Sequence, residues 1–204
     1  AKIIAPIINQ FDIFGKLLRT FEGHSNDITD LLVTVDRKYL ISSSQDKTVK
    51  VWEIANAKEE NSFADHTWAV TDIDIMLEQP CETIADCATV KRSTGLPMKL
   101  DESTMTPADI LEAYKADCLD ATALKISKFG GLSAARRARD LCVTLGVKMC
   151  VEDTWGGDIV TAAALHLAAS TEPKFLLNVC DLSNYVGPRL DPNSPSRHDG
   201  YIEP

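Results

Sequence analysis

The chain is 204 residues long, 45% hydrophobic and 25% charged, with a formal net charge of −9 at pH 7. Those proportions describe an ordinary globular protein of one good-sized domain or two small ones, and the acidic balance argues against attachment to nucleic acid or to an anionic membrane. No apolar run approaches the ~20 residues that span a bilayer, and the first residues lack a signal-peptide pattern, so a cytoplasmic protein is expected.

In chain order, the opening stretch AKIIAPIINQFDIFG is apolar but interrupted by Pro6, Asn9 and Asp12, which reads as a strand-like piece. Residues 1–70 continue in short β-rich segments, DITDLLVT, YLISSS and TVKVWEI, separated by the polar turns VDRK and SQDK. Over residues 71–204 the pattern changes. The strands DIDIML, PMKL, ATALKI, VKMCV and KFLLNV alternate with helical stretches at roughly 83–93, 107–117, 131–146 and 157–170. That alternation predicts a parallel sheet of βα units, so the fold class is mixed, antiparallel β followed by α/β. The junction near Val70–Ile75 carries no Pro/Gly/Ser linker and falls inside a strand that either half claims.

The six cysteines, Cys81, Cys87, Cys118, Cys142, Cys150 and Cys180, form no C-x-x-C pair and have no histidine at zinc-ligand spacing. They read as reduced structural thiols.

Side chains alternate faces along a strand. In DIDIMLE, Asp74, Met76 and Glu78 share one face; in MKLDES, Lys99 and Asp101 share one; in ALKIS, Lys125 and Ser127 do. The strand VKMCVED ends on Glu152 and Asp153, and FLLNVCD ends on Asp181. Polar groups therefore collect at the C-terminal ends of successive parallel strands, where α/β folds place their active sites. Two carboxylates and an amine there, Glu78, Asp101 and Lys125, suit a hard divalent cation such as Mg²⁺ with a base beside it. The same three residues equally make a structural salt-bridge cluster, and residue types alone leave both readings open.

Glu152, Asp153 and Trp155 lie just past a strand, where substrate contact is expected. Trp155 either stacks on a cationic ring nitrogen or packs, and Asp181 either pairs with a substrate ammonium or is a plain strand-end carboxylate. Lys128 falls on the opposite strand face from Lys125 and reads as structural or solvent-facing. Gly130-Gly131 reads as a tight turn into a helix, and His166, in ALHLAAS, as a core or interface histidine.

Two resemblances add to this reading. The segment EGHSNDITDLLVTVDRKYLISSSQDKTVKVWEI resembles one WD40 repeat, with Gly23-His24 near its start, Val51-Trp52 at its end and Glu53 where that family usually has Asp. The resemblance implies a hydrogen-bonded network of His24, Ser42 or Ser44, Asp46 and Trp52 that holds a blade together and carries no chemistry. FADHTWAVTDI looks like the opening of a second repeat. Propellers need roughly four to eight blades, so the segment describes an incomplete propeller, and a protein partner is the role it implies.

Downstream, LEQP, then KLDES, then LKISKFGGLSAA resemble the enolase superfamily in its mandelate racemase and muconate lactonizing branch. The resemblance implies the C-terminal half of a TIM-type (β/α) barrel, with Glu78 and Asp101 as two Mg²⁺ ligands and Lys125 as a catalytic acid/base. The activity implied is α-proton abstraction from a small amino-acid or hydroxy-acid carboxylate, leading to dehydration or epimerisation of a hydroxyproline-type compound. Desolvation and a nearby metal would both push the pKa of Lys125 down.

The strand-2 lysine, the strand-3 carboxylate and the capping domain of that family find no match here, so a fusion of two fragments, weak as a catalyst, is expected. The reading from another class is a non-catalytic WD40-type interaction module beside a structural half-barrel. A five-strand half-barrel would also expose a sheet edge, to be covered by a second copy of the chain or by the first-half strands.

Overall fold

A computed structural model describes residues 2–4, 6–64, 66, 68–71, 73–153, 156–180, 195, 197–198 and 201–202. The chain divides into two compact units, Ala1–Ile75 and Met76–Pro204.

In the first unit, β1 (Lys2–Ile4), β2 (Ile7–Phe11) and β3 (Leu17–Glu22) form a three-stranded antiparallel sheet. The strands β4 (Ile28–Val33), β5 (Tyr39–Ser44), β6 (Val49–Glu53) and β7 (Lys58–Phe63) form a four-stranded antiparallel meander. Ile8, Phe21, Ile28, Leu40 and Trp52 make the shared core, with the Trp52 ring edge-on to Phe21 at 6.0 Å between centroids.

One buried polar network ties this unit together. His24 meets Asp46 Oδ2 through Nδ1 at 2.9 Å and Ser42 Oγ through Nε2 at 2.7 Å, and the Trp52 indole N–H donates to Ser42 Oγ at 2.8 Å. Of the two serines expected, Ser42 is therefore the one that bonds His24 and Trp52, and the Thr48 hydroxyl joins at His24 Nδ1. Ser44 Oγ instead donates to the Asn26 carbonyl at 3.0 Å and accepts from the Asp46 N–H at 3.0 Å. Burial pushes the Asp46 carboxyl up, but the Thr48 hydroxyl, the Ser25 amide and His24 outweigh it and hold the group far below the usual range.

The strand expected over DIDIML shortens to β8 (Leu77–Glu78). The physical reason lies upstream, where the backbone is already committed to the first unit. The Val70 N–H donates to the Ser44 carbonyl at 3.1 Å, the Thr29 hydroxyl bonds the Val70 carbonyl, and the Ile73 N–H donates to Asp30 Oδ2 at 3.2 Å. Backbone groups spent there are unavailable to a second sheet.

The second unit follows β8 with α1 (Ile84–Thr94), β9 (Met98–Leu100), α2 (Pro107–Lys115), β10 (Ala121–Lys125), α3 (Leu132–Leu145), β11 (Lys148–Glu152), α4 (Asp158–Ala169) and β12 (Leu176–Val179). The five strands pair in parallel in the order β12-β11-β10-β9-β8. Local chemistry marks the helix ends. Thr83 caps α1 by accepting from the Asp86 N–H, and Thr106 and Asp109 form a reciprocal capping box on α2, with Pro107 in its first turn. Gly130 and Gly131, with φ of 84° and 114°, make the turn into α3 that a residue with a Cβ would resist.

The sheet's two faces differ. Met98, Leu100, Leu124, Met149 and Val151 pack with Ile110, Ala138 and Leu167 of the helices in one core. The register sets Glu78 beside Lys99, Lys99 beside Ala121 and Lys125 beside Glu152, so the opposite face is polar or small. His166, expected in a core or an interface, is exposed on α4.

All six cysteines are free. Burial pushes the thiols of Cys118 and Cys180 up to about 11 and that of Cys142 up to about 12, so these thiols stay protonated and unreactive at neutral pH. No described helix is long and apolar enough to cross a membrane.

Candidate functional site

The polar face ends in a cleft of about 320 Å³ lined by Asp101, Glu102, Met105, Lys125, Ser127 and Lys128. Asp101 follows β9 directly, and Lys125 is the last residue of β10, so the parallel pairing of these strands delivers both side chains to the same end. Lys125 Nζ donates to Asp101 Oδ2 at 2.5 Å.

Lys128 also reaches this carboxylate. Its Nζ donates to Asp101 Oδ1 at 3.0 Å, to the Asp101 carbonyl at 2.7 Å and to the Ala123 carbonyl at 2.9 Å, and its side chain is only 6% exposed. Strand alternation would have sent Lys128 to the other face. It does not apply, because β10 stops at Lys125 and the chain turns, with the Gly130 and Gly131 N–H groups bonding back to the Ser127 and Ile126 carbonyls at 3.0 and 2.9 Å. Lys128 is thus buried within the site, and the solvent-facing alternative is corrected.

Burial pushes the Asp101 carboxyl up, but the hydrogen bonds and charges of Lys125 and Lys128 outweigh it and hold Asp101 below the usual carboxylate range. For Lys125, burial pulls the ammonium down, yet the Asp101 hydrogen bond and the surrounding carboxylates more than offset it, so its pKa is raised. The expected downward push by desolvation is present but outweighed. Lys128 is the reverse: burial dominates and its pKa is lowered, with Asp101 opposing.

Glu78 stands apart from the cleft lining. Its carboxylate pairs with Lys99 Nζ at 2.8 Å across the β8–β9 register, with the Glu78 side chain 55% exposed and that of Lys99 12%. Glu152, register neighbour of Lys125, accepts from the Cys180 thiol at 3.3 Å. Asp153 is buried and takes the Ser127 N–H at 3.0 Å as well as the Ser127 hydroxyl, which ties the loop after β10 to the end of β11. Trp155 and Asp181 lie outside the described residues.

The backbone around Asp101 is supported from three sides. Thr104, fully buried, donates both its N–H and its hydroxyl to the Asp101 carbonyl at 3.0 Å and shares a 2.9 Å hydroxyl contact with Thr122. Gln79 accepts the Asp101 N–H at 2.8 Å. Sequence reasoning missed Gln79 and assigned Lys128 no place at the site. The signal available for Gln79 was a polar amide wedged between a strand-end carboxylate and Pro80.

Does this set fit a magnesium ion? The described residues include no group of three His, Cys, Asp or Glu side chains able to hold a metal. The donors in question are the carboxylates of ionised Asp101 and half-exposed Glu78, on adjacent strand ends, with Glu102 also at the cleft. That set suits a hard cation held by one or two carboxylates that keeps most of its waters, and does not suit a closed all-protein cage. By donor type the residues fit in this sense; in the structure Lys125 and Lys128 hold both Asp101 oxygens and Lys99 holds Glu78, so a cation would have to displace those contacts.

Residues 66–204 match the family model described as enolase C-terminal domain-like, and residues 15–53 match the WD domain, G-beta repeat model. Over 132 residues the chain is 42% identical to a cis-3-hydroxy-L-proline dehydratase of Roseibium aggregatum, covering 65% of this chain and 36% of that protein. It is 33% identical over 94 residues to an o-succinylbenzoate synthase of Mycobacterium bovis, covering 46% of this chain and 28% of that protein. Among solved structures, a mandelate racemase/muconate lactonizing enzyme from Roseovarius nubinhibens superposes with a TM-score of 0.60 at 39% identity, over 65% of this chain and 36% of the other. A second protein from that organism, solved in complex with magnesium, gives 0.61 at 33% identity, over 66% and 37%. The chain thus spans between 28% and 37% of the length of these relatives, and its parallel sheet and helices correspond to the C-terminal half of an enolase-superfamily barrel domain.

Proposed function

This chain belongs to the enolase C-terminal domain-like family, and from that premise we propose that residues 76–204 carry part of a lyase or isomerase site for a small amino-acid or hydroxy-acid carboxylate. The observation that carries the reading is the Asp101 carboxylate, fixed at a parallel strand end and bonded at 2.5 Å to Lys125 in an open cleft. The 42% identity to a cis-3-hydroxy-L-proline dehydratase supports a hydroxyproline-type substrate.

In this reading Glu78 and Asp101 would hold a magnesium ion. When bound, it would supply positive charge against the second negative charge that α-deprotonation builds on a carboxylate. Lys125 is the acid/base. Neutral Lys125 would take the α-proton, and the ammonium so formed, which Asp101 stabilises, would return a proton to a departing β-hydroxyl, releasing water, or to the α-carbon. Lys128 takes no such part, since its three hydrogen bonds all go to Asp101 and Ala123. Matching covers 36% of the dehydratase, so groups which that enzyme draws from the rest of its length are not supplied by the matched region, and slow turnover is expected.

The test is α-proton exchange of cis-3-hydroxy-L-proline in D₂O with Mg²⁺, followed by ¹H NMR. Exchange by the wild-type chain that disappears in Lys125→Ala is the expected result. Exchange persisting in Lys125→Ala removes Lys125 from the role, and none above solvent background in the wild type refutes the catalytic reading.

A second reading is favoured by the first unit, where the β2–β3 turn presents Ile13 and Phe14 at 92% and 87% exposure beside the segment that matches the WD domain model. Exposed apolar side chains of this kind suit a protein partner. On that reading the strand-end carboxylates are structural and the second unit is indifferent to both substrate and Mg²⁺.

A further inference from the structure

Gln79 adopts φ of +36°, a left-handed backbone conformation uncommon for a residue with a side chain. Its N–H still completes the strand pairing by donating to the Lys99 carbonyl at 2.9 Å. The turned backbone sends its side chain across to the end of the neighbouring strand, where both ends of the amide are used. Oε1 accepts from the Asp101 N–H at 2.8 Å, the Ser103 hydroxyl at 3.0 Å and the Ser103 N–H at 3.4 Å. Nε2 donates to the Cys81 carbonyl at 2.7 Å and lies 3.9 Å from the Cys87 sulfur.

One side chain therefore links β8 to the loop after β9, and it belongs to the residue next to Glu78. Glu78 and Gln79 share a peptide bond, so a displacement of the Asp101 backbone relative to Glu78 must stretch or break the Gln79 contacts. An Asn is one methylene shorter and cannot span the same gap from the same backbone. An apolar residue leaves the Asp101 N–H and Ser103 without this acceptor. The uncommon φ is explained by the same arrangement, because three acceptances and one donation offset the conformational cost.

We propose that Gln79 is the positioning residue that sets the spacing between the two candidate magnesium ligands, holding the Asp101 backbone in place from the position beside Glu78. The inference rests on the reading of Glu78 and Asp101 as those ligands. Because Gln79 is neutral, replacing it changes the placement of the carboxylates without changing the charge near them, which separates positioning from electrostatics.

The experiment is a titration of the full ¹⁵N-labelled chain with MgCl₂, read from amide shifts, for the wild type, Gln79→Leu and Gln79→Gly. The glycine variant tolerates the positive φ and loses only the side chain, so it reports even where the leucine variant fails to fold. Loss of a group that orients a metal ligand typically weakens metal affinity about 10–100-fold, and a weakening of that order is expected in each folded variant. Urea midpoints are measured alongside. A role confined to fold stability would lower the midpoint and leave the Mg²⁺ affinity of the folded protein at the wild-type value, which would overturn the proposal. A wild-type chain that ignores Mg²⁺ removes Glu78 and Asp101 as ligands and takes this inference with it. Wild-type binding with unchanged variants overturns this inference alone.

Discussion

Replacing Lys128 by Met removes a buried ammonium while keeping much of its apolar bulk. Three acceptors lose a donor: Asp101 Oδ1, the Asp101 carbonyl and the Ala123 carbonyl. Their losses are unequal. The Asp101 carbonyl keeps the N–H and hydroxyl of Thr104, whereas Asp101 Oδ1, on a side chain 8% exposed, loses a charge-assisted bond. Such a bond is worth about 1.5–3 kcal/mol. Two effects temper the cost: Lys125 stays on Oδ2 to balance the charge, and the variant escapes the desolvation that depresses the Lys128 pKa. The net expectation is a loss of about 2 kcal/mol, roughly a 30-fold shift in the unfolding equilibrium. All four described α-helices lie in the second unit, so urea unfolding followed by helical circular dichroism reads that unit. Lys58→Met, at an exposed pair with Glu60, serves as a control with no measurable change. A Lys128→Met midpoint equal to that of the control would refute the reasoning, since it would mean that Asp101 does not depend on the second lysine.

The first unit should carry an acid-sensitive element at Asp46. Its carboxyl is held far below its ordinary value of 3.8, so its contribution is complete above pH ~4 and is lost as pH falls through the folded-state value. Asp46→Asn should therefore lower the urea midpoint at neutral pH and flatten its decline on acidification, read from the Trp52 indole N–H resonance; parallel acid limbs in variant and wild type would contradict this. In the second unit, Leu124 is fully buried in the helix-covered core, and Leu124→Ala should cost about 2–5 kcal/mol in urea unfolding. A loss under about 1 kcal/mol there would mean that the helices do not cover that face.

Legibility in the sequence followed the range of the interactions. The helices and their alternation with strands rest on local caps and apolar spacing, and α1 to α4 begin and end within about two residues of the expected bounds. Strand β7, KEENSF, is exposed at every position and has no apolar alternation to show; its pairing with β6 makes it a strand. The shortening of β8 depended on hydrogen bonds from Val70 and Ile73 to residues 26 and 43 positions away, beyond what a local pattern encodes. Lys128 was misplaced because alternation was carried past the end of β10. Residue types pointed to Asp101 and Lys125, but nothing in the spacing distinguishes a lysine that faces a cleft from one buried beneath the same carboxylate.

The two candidate ligands differ in how firmly they are held, and the difference bears on how the site would work. Each polar atom of Asp101 has a partner: Gln79 on the N–H, Thr104 and Lys128 on the carbonyl, Lys128 on Oδ1 and Lys125 on Oδ2. Glu78 is more than half exposed, and its carboxylate is paired with Lys99. A site assembled this way has one preorganised carboxylate and one that adapts. Any cation or substrate would meet Asp101 where it already stands, and the adjustment would fall on Glu78. The two carboxylates face three ammonium groups, Lys99, Lys125 and Lys128, so this constellation is charge-compensated by the chain itself. The buried Asp101 carboxylate is thereby balanced by Lys125 and Lys128 without an ion, and ligand affinity is left to depend on how cheaply those lysine contacts rearrange.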